Sequence, residues 1–239
     1  MTSSQTSSEH HFVTLTTLSI PTLVLPTCVS LLCSFLVFIA VPRLSRETSL
    51  VTSPERNLLV SVSLFVPMSI AMYAYVFFLE SHSSSDNQNH SCEMHRVVLR
   101  GLVGWIGGVA TLHATAILFG APLLNLALRT ALWSAMISGL VFVPCSIVLG
   151  VSPASWLRLF VELRAKTPVE RHWCLAPSLG ALLGSWVGAI PIPLDWDEPW
   201  QAWPVTLVVG ALIGHLFACV VTLAYASTRG AFLRPKKRQ

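Results

Sequence analysis

A short segment near the end of the chain concentrates carboxylates and indole rings. Residues 191–204 read PIPLDWDEPWQAWP and hold three of the 11 acidic residues and three of the 8 tryptophans. Carboxylates such as Asp195, Asp197 and Glu198 can bind a divalent cation, orient a substrate or pair with a basic partner surface. A cation normally takes more oxygen ligands than these three supply. A rigid turn and a contact with lipid headgroups are the alternatives. The candidate interface residues of the segment are Asp195, Trp196, Asp197, Pro199 and Trp200.

Two histidines, His113 and His215, lie within strongly apolar stretches. An ionisable residue at membrane depth is a functional candidate by default, and a neutral imidazole that hydrogen-bonds across helices is the alternative. The apolar stretches carry no Asp or Glu, so a proton relay or a coupled-ion path lacks its usual parts. The six cysteines form no C-x-x-C pair, and we interpret them as small buried residues. No catalytic group, cofactor or metal site is predicted.

The composition identifies the elements that must position these residues. Of the 239 residues, 53% are hydrophobic and only 11% are charged, and the mean hydropathy is +0.66. Ordinary soluble domains are about 25% charged, so a soluble enzyme and a nucleic-acid binder with a basic patch are excluded. A membrane-spanning helix needs about 20 mostly apolar residues. We therefore predict an all-α, polytopic membrane bundle.

The pattern of apolar stretches predicts about six transmembrane helices within a domain at 20–226. A polar tail precedes this domain at 1–19, and a basic tail follows it at 227–239. Residues 152–166 predict an interfacial helix, because an apolar side lies on one face and the charged residues Arg158, Glu162 and Lys166 stand four apart on another. A solvated linker is the alternative for that stretch. The predicted spans are 20–41, 58–79, 98–120, 130–150, 174–193 and 205–226.

The distribution of Lys and Arg predicts the orientation. With six spans, most of the 15 basic residues lie on one side, which we call the basic side, and only Arg43, Arg46, Arg56 and Arg129 lie on the other. Basic loops stay in the cytosol, so both termini are predicted to be cytosolic. Taken alone, the basic residues that follow the first span would place the N-terminus on the non-cytosolic side. On the predicted topology Asn89, in the sequon Asn89-His90-Ser91, would face the cytosol and stay unglycosylated.

Glycines at four-residue spacing mark three of the predicted spans. Gly180, Gly184 and Gly188 share one face of the fifth span, and such spacing lets helix backbones approach closely. Packing within this bundle and docking of a partner helix or a lipid chain are both open. At the end of the chain, Lys236 and Lys237 match the dilysine retrieval signal of endoplasmic-reticulum membrane proteins, and a plain basic flank of the last span is the alternative.

Two stretches together resemble the PIG-F family of phosphatidylinositol-glycan biosynthesis. One runs from His113 through Gly120 and Pro122 towards Thr130, and the other is GSWVGAIPIPLDWDEPWQAWP at 184–204. The resemblance marks His113, Gly120 and Pro122 as further candidates for a partner or lipid interface. The resemblance implies a multi-pass membrane protein of the endoplasmic reticulum that is a noncatalytic, stabilising subunit. Its implied partners are the large catalytic ethanolamine-phosphate transferases of classes O and G, membrane lipids and the glycosylphosphatidylinositol (GPI) precursor. No nucleic-acid partner is expected.

The residue pattern leaves two other functions as alternatives. An intramembrane enzyme for lipid headgroups would use Asp195, Asp197 and one of the two span histidines. A small lipid transporter or scramblase would use the bundle itself. The enzyme lacks a cluster of metal ligands and a large loop to hold one, and the transporter lacks acidic residues within the spans and an inverted repeat.

Overall fold

The computed structural model describes residues 20–44, 49–82, 90–122, 125–150 and 152–232. All regular secondary structure in these ranges is helical, which confirms the all-α prediction. A π-helical segment, Leu36–Ala40, joins the first two helices, and a second one, Glu170–Leu175, precedes the seventh. The α-helices are α1 (Ile20–Phe35), α2 (Val41–Leu44), α3 (Pro54–His82), α4 (His90–Leu118), α5 (Ala127–Leu149), α6 (Pro153–Phe160), α7 (Ala176–Ala189) and α8 (Val205–Phe232).

Five helical stretches of the described ranges are long and apolar enough to cross a membrane. They are Val24–Arg43, Pro54–Leu79, Met94–Leu118, Ala127–Leu149 and Val205–Thr228. Where a span was expected at 174–193, the structure has the π-helical segment and then α7, which has 14 residues. An α-helix of that length is about 21 Å long, shorter than the ~30 Å hydrocarbon core. A sixth span therefore remains a prediction.

Helix α5 forms the centre of the bundle, and 83% of the residues in its most apolar 18-residue stretch are buried. Small residues along it let α3 and α4 come close; a Cβ on Gly139 would lie 2.9 Å from the Phe65 ring. Two hydrogen bonds fix α4 against α5. The Trp105 indole N–H donates to the Ala135 carbonyl at 2.9 Å, and the Ser138 hydroxyl donates to the Trp105 carbonyl at 2.7 Å.

Contacts between the helices show that α4 runs in the direction opposite to α3, α5 and α8. The guanidinium of Arg129 and the carboxylate of Glu55 are 2.8 Å apart, so α3 and α5 begin on the same side. On the other side, the Arg100 guanidinium lies 4.0 Å from the Cβ position of Gly150, so the first half of α4 lies beside the end of α5. The segment before α8 also meets the start of α5, because the Trp203 indole donates to the Thr130 hydroxyl at 3.1 Å. The side with Arg129 thus gathers the starts of α3, α5 and α8.

The expected interfacial helix at 152–166 is shorter in the structure. Helix α6 ends at Phe160, and the chain then turns back. Leu163 has a φ of 55°, outside the right-handed helical region. The Arg158 guanidinium donates to the Arg164 carbonyl at 2.8 Å, which holds the turn closed.

Candidate functional site

The segment between α7 and α8, residues 190–204, folds around the side chain of Gln201. We call this segment the acidic turn. The Gln201 amide group donates to the carbonyls of Pro191 and Leu194, both at 2.7 Å, and its oxygen accepts the Glu198 N–H at 3.0 Å. Gln201 is only 9% exposed. One buried side chain therefore satisfies three backbone groups, and the turn has a defined shape.

The acidic side chains of the turn point outward from this framework. Asp195, Asp197 and Glu198 are exposed and line an open cavity of about 750 Å³. The rings of Trp196 and Trp200 lie 5.7 Å apart beside them, and Pro199 starts the 3-10 turn Pro199–Gln201. The structure thus brings together the five candidate residues predicted for this segment. Within the described ranges, no group of three or more His, Cys, Asp or Glu side chains is placed to hold a metal ion.

The acidic turn is anchored to the start of α5 by residues that the sequence did not single out. The Trp203 carbonyl accepts the Arg129 guanidinium at 3.4 Å, and the Trp203 and Trp133 rings lie 6.1 Å apart. Arg129 also pairs with Glu55, so α3, α5 and the turn are linked. The signal in the sequence was a single arginine beside Thr130, on the side with few basic residues. Because Glu55 and Trp203 are each 74 residues from Arg129 in the chain, sequence spacing could not identify them as its partners.

Gly120 and Pro122 end α4. The Gly120 N–H donates to the Ile117 carbonyl at 3.0 Å and the Ala121 N–H donates to the Ala116 carbonyl at 2.9 Å, with a φ of 97° at Gly120. This is the Schellman arrangement, in which glycine accepts a left-handed conformation and satisfies the last carbonyls of a helix. The resemblance marked these two residues as interface candidates, and the structure gives them a local role in stopping the helix.

The two span histidines have different surroundings. His113 is partly buried on α4, and its Nδ1 has no hydrogen-bond partner in the described part of the chain. No described contact links it to the acidic turn. His215 is fully buried on α8, with its Nδ1 3.6 Å from the Cys219 sulfur. Its Nε2 is buried and makes no hydrogen bond with the described residues, although the imidazole lies near the backbone of Leu140 on α5.

A proline explains why a polar side chain is useful at that point. Pro144 lies inside α5 and has no N–H to donate to the Leu140 carbonyl one turn earlier. A neighbouring helix can supply the missing interaction. The His215 imidazole lies near the Leu140 backbone, and its buried Nε2 has no other hydrogen-bond partner among the described residues, so it is placed to serve this carbonyl in the structural alternative, a neutral histidine between two helices.

The face with Gly180, Gly184 and Gly188 is covered by α8 of the same chain. A Cβ on Gly184 would collide with the Gly210 carbonyl oxygen and would lie 3.1 Å from the Gly214 Cα. A Cβ on Gly180 would likewise collide with the Gly214 carbonyl oxygen, and a Cβ on Gly188 with the Thr206 carbonyl oxygen. The glycines therefore pack within the bundle. Beside them runs an apolar groove of about 400 Å³, bordered by exposed Leu183 and Phe217.

On the opposite side of the bundle, one ion pair fixes the connection between α6 and the π-helical segment. Both Glu170 oxygens accept Arg158 nitrogens, at 2.8 and 3.1 Å, and one also accepts the Lys166 N–H at 2.7 Å. Burial by itself would raise the pKa of Glu170, but the hydrogen bonds from Arg158 and Lys166 outweigh it and lower this pKa. The same hydrogen bond to Glu170 raises the pKa of Arg158. Both groups are therefore charged at neutral pH.

Several predicted features lie outside the described residues. These are the polar tail at 1–19, the sequon residue Asn89, and the dilysine residues Lys236 and Lys237. They stay predictions.

Comparisons with known proteins agree with one another. The model of the GPI biosynthesis protein family Pig-F matches residues 9–223. The chain is 31% identical over 197 residues to the human protein named "GPI ethanolamine phosphate transferase, stabilizing subunit", covering 80% of this chain and 87% of that protein. It is 37% identical over 111 residues to the mouse protein of the same name, covering 46% and 50%.

A fungal relative extends the comparison. The chain is 39% identical over 112 residues to "Glycosylphosphatidylinositol anchor biosynthesis protein 11" of Candida albicans, covering 47% of this chain and 42% of that protein. No solved structure matches the chain.

Proposed function

Because the chain belongs to the GPI biosynthesis protein family Pig-F, we propose that it is the noncatalytic, stabilising subunit of a GPI ethanolamine phosphate transferase. In this role it supports the transfer of ethanolamine phosphate from phosphatidylethanolamine to the mannoses of the GPI precursor. The observation that carries the proposal is the match to the human stabilizing subunit, which extends over 87% of that protein.

The acidic turn is the surface that suits a large partner. Its backbone is fixed internally by Gln201 and externally by Arg129, so little conformational entropy is lost when a partner binds. It exposes Asp195, Asp197 and the Trp196 ring, which is 58% exposed. Carboxylates beside an indole complement a basic, aromatic-rich protein surface. We propose that the turn contacts the catalytic subunits of classes O and G.

The proposed location is the endoplasmic-reticulum membrane, where the resemblance places the pathway. The acidic turn then faces the lumen, and the basic side, which begins α4 and ends α5, faces the cytosol. Five helices of the described ranges are long enough to span the membrane. With α7 and its π-helical segment as a sixth span, both termini are cytosolic.

Affinity purification of the intact chain in mild detergent tests the proposal. We expect a much larger membrane protein with a phosphatase-like luminal domain to co-purify, and its cellular level to fall when this chain is removed. The purified chain alone should transfer no ethanolamine phosphate. Transfer by the chain alone would contradict a stabilising role.

A conservative variant separates the stabilising role from an intramembrane enzyme. Asp195→Asn removes one charge from the exposed turn, so it should weaken recovery of the partner and lower transfer in proportion. Glu162→Gln on the opposite side is the matched control and should change neither. Full recovery of the partner with abolished transfer would instead indicate a catalytic carboxylate.

A further inference from the structure

Helix α6 and the turn after it fold back against the end of α5. We call residues 153–166 the basic hairpin. The Trp156 indole N–H donates to the Gly150 carbonyl at 2.8 Å, and its ring stacks on Phe142 at 5.6 Å and on Phe160 at 5.7 Å. The hairpin therefore lies along the side of the bundle rather than extending away from it.

The stack with Phe142 sets the depth of the hairpin relative to the membrane. Phe142 precedes Leu149, the last residue of α5, by seven positions, and a rise of 1.5 Å per residue places it about 10 Å inside the helix end. Because α5 is a membrane-spanning candidate of 23 residues, about 35 Å long against a hydrocarbon core of about 30 Å, this ring lies in the outer part of the hydrocarbon. The Trp156 indole N–H bonds Gly150 at the helix end, so the indole reaches from there to the hydrocarbon boundary. Tryptophan is enriched at that level of a bilayer.

The outer surface of the hairpin is apolar where lipid would meet it. Leu157, Val161 and Leu163 are 60%, 72% and 54% exposed. Leu163 holds a positive φ of 55°, and the hydrogen bond from Arg158 to the Arg164 carbonyl keeps that turn in place. Large apolar side chains displayed by a fixed turn are suited to the headgroup and acyl-chain boundary.

The charges beside these apolar side chains are mainly positive. Arg158 and Glu170 neutralise each other in a nearly buried pair. Arg164, Lys166 and Arg171 are exposed and make no ion pair with the described residues, and Glu162 is the one exposed acid of the hairpin. This excess of positive charge complements a negatively charged leaflet.

We propose that the basic hairpin is an anionic-lipid-binding element of the leaflet in which α5 ends. Leu157, Val161 and Leu163 enter the interface, while Arg164 and Lys166 bind lipid phosphates. The buried pair of Arg158 and Glu170 holds the hairpin at this depth. The element goes beyond the stabilising role and does not depend on it.

A depth measurement on the full chain tests the apolar part of the proposal. An environment-sensitive fluorescent amino acid is introduced at position 163 or, as control, at position 162, and each chain is reconstituted in phosphatidylcholine vesicles with brominated acyl chains. We expect strong quenching at 163 and weak quenching at 162. Equal quenching at the two positions would overturn the proposal.

A lipid-affinity measurement tests the charges. Arg164→Gln with Lys166→Gln is compared with Arg43→Gln and Arg96→Gln, which remove two exposed charges elsewhere. Energy transfer from the fluorophore at 163 to fluorescent phosphatidylserine reports binding in phosphatidylcholine vesicles that also contain unlabelled phosphatidylserine, which gives them a negatively charged surface. Each basic residue near a charged membrane is worth about fivefold in affinity, so the hairpin variant should bind about 25-fold more weakly. Equal losses in both double variants would show nonspecific attraction and contradict the proposal.

Discussion

Gly184 and Gly210 pack backbone against backbone, so that a Cβ on either residue would collide with the carbonyl oxygen of the other. This contact is the centre of the α7–α8 interface, and it leaves no room for a partner helix between them. The glycine spacing therefore stabilises the chain itself. The partner contacts proposed for this protein belong to the acidic turn, which α7 and α8 hold between their ends.

Gly184→Ala should destabilise the chain. The added methyl group meets backbone atoms that move only if the helices separate, and overpacking of this kind costs about 1 to 3 kcal/mol. Gly107→Ala is the matched control, because nothing lies within 4 Å of its Cβ position, and it should stabilise α4 by up to about 1 kcal/mol. Thermal unfolding in detergent, followed by fluorescence-detected gel filtration, compares the two. Equal melting temperatures would contradict the interface.

Glu170→Gln should lower stability at neutral pH, because it leaves the Arg158 charge without its partner. The expected cost is about 2 kcal/mol. Because hydrogen bonds lower the Glu170 pKa in the folded chain, its stabilising contribution is present above the unfolded pKa and is lost as the pH falls through the folded pKa. The melting temperature of the parent chain should therefore approach that of the variant in acid. Glu162→Gln, at an exposed position, serves as control, and a pH-independent difference would contradict the pair's role.

Pro144 and His215 should show energetic coupling. Pro144→Ala restores an N–H for the Leu140 carbonyl, so the imidazole is no longer needed there. His215→Leu should destabilise the parent chain, and by about 1 kcal/mol less when Pro144→Ala is also present. A double-mutant cycle of unfolding free energies in detergent measures this difference. Additive effects would show that His215 does not serve the carbonyl freed by Pro144.

Arg129→Gln should weaken partner binding more than it weakens the chain. The pair with Glu55 is partly exposed, with side-chain exposures of 26% and 45%, so its loss costs at most about 1 kcal/mol. The acidic turn, however, loses one of its attachments to α5. Co-purification of the large subunit should fall while the amount of this chain holds, and Arg96→Gln should change neither.

A charge reversal checks the geometry behind that prediction. Arg129→Glu should lower co-purification further, because it places two carboxylates together at the start of α5. Adding Glu55→Arg should restore part of the loss, since the pair is rebuilt in the opposite sense. No recovery in the double variant would indicate that the hydrogen bond from Arg129 to Trp203 is the important contact.

Much of the architecture followed from the one-dimensional pattern. Apolar stretches of span length predicted the helical bundle, because the bilayer requires every backbone group to be satisfied within a helix. Five of the expected spans have counterparts among the candidate membrane helices. The third span was predicted to end at 120, and α4 ends at Leu118, where Gly120 and Pro122 stop the helix through conformations that are properties of the residues themselves. Local chemistry of this kind is available from sequence alone.

The cluster in the acidic turn was also evident from its composition, since Asp195, Asp197 and Trp196 are close in the chain. The attachment of the turn to α5 was not evident from the sequence. Arg129, Glu55 and Trp203 come from three distant segments, and only the folded chain brings them within hydrogen-bonding distance. An ion pair between residues 74 positions apart, such as Arg129 and Glu55, leaves no spacing in the sequence to detect.

The sequence by itself determined that this protein is a membrane helical bundle with an acidic, tryptophan-rich turn, because hydropathy and helix geometry act locally. The tertiary structure decided where the glycines go: Gly184 meets Gly210 of the same chain, although its spacing suits a partner helix equally well. It also ended the expected interfacial helix at Phe160 and turned the following residues back as a hairpin, since the Arg158–Glu170 pair closes across the turn. Both outcomes depend on contacts between distant segments, and those exist only once the chain has folded.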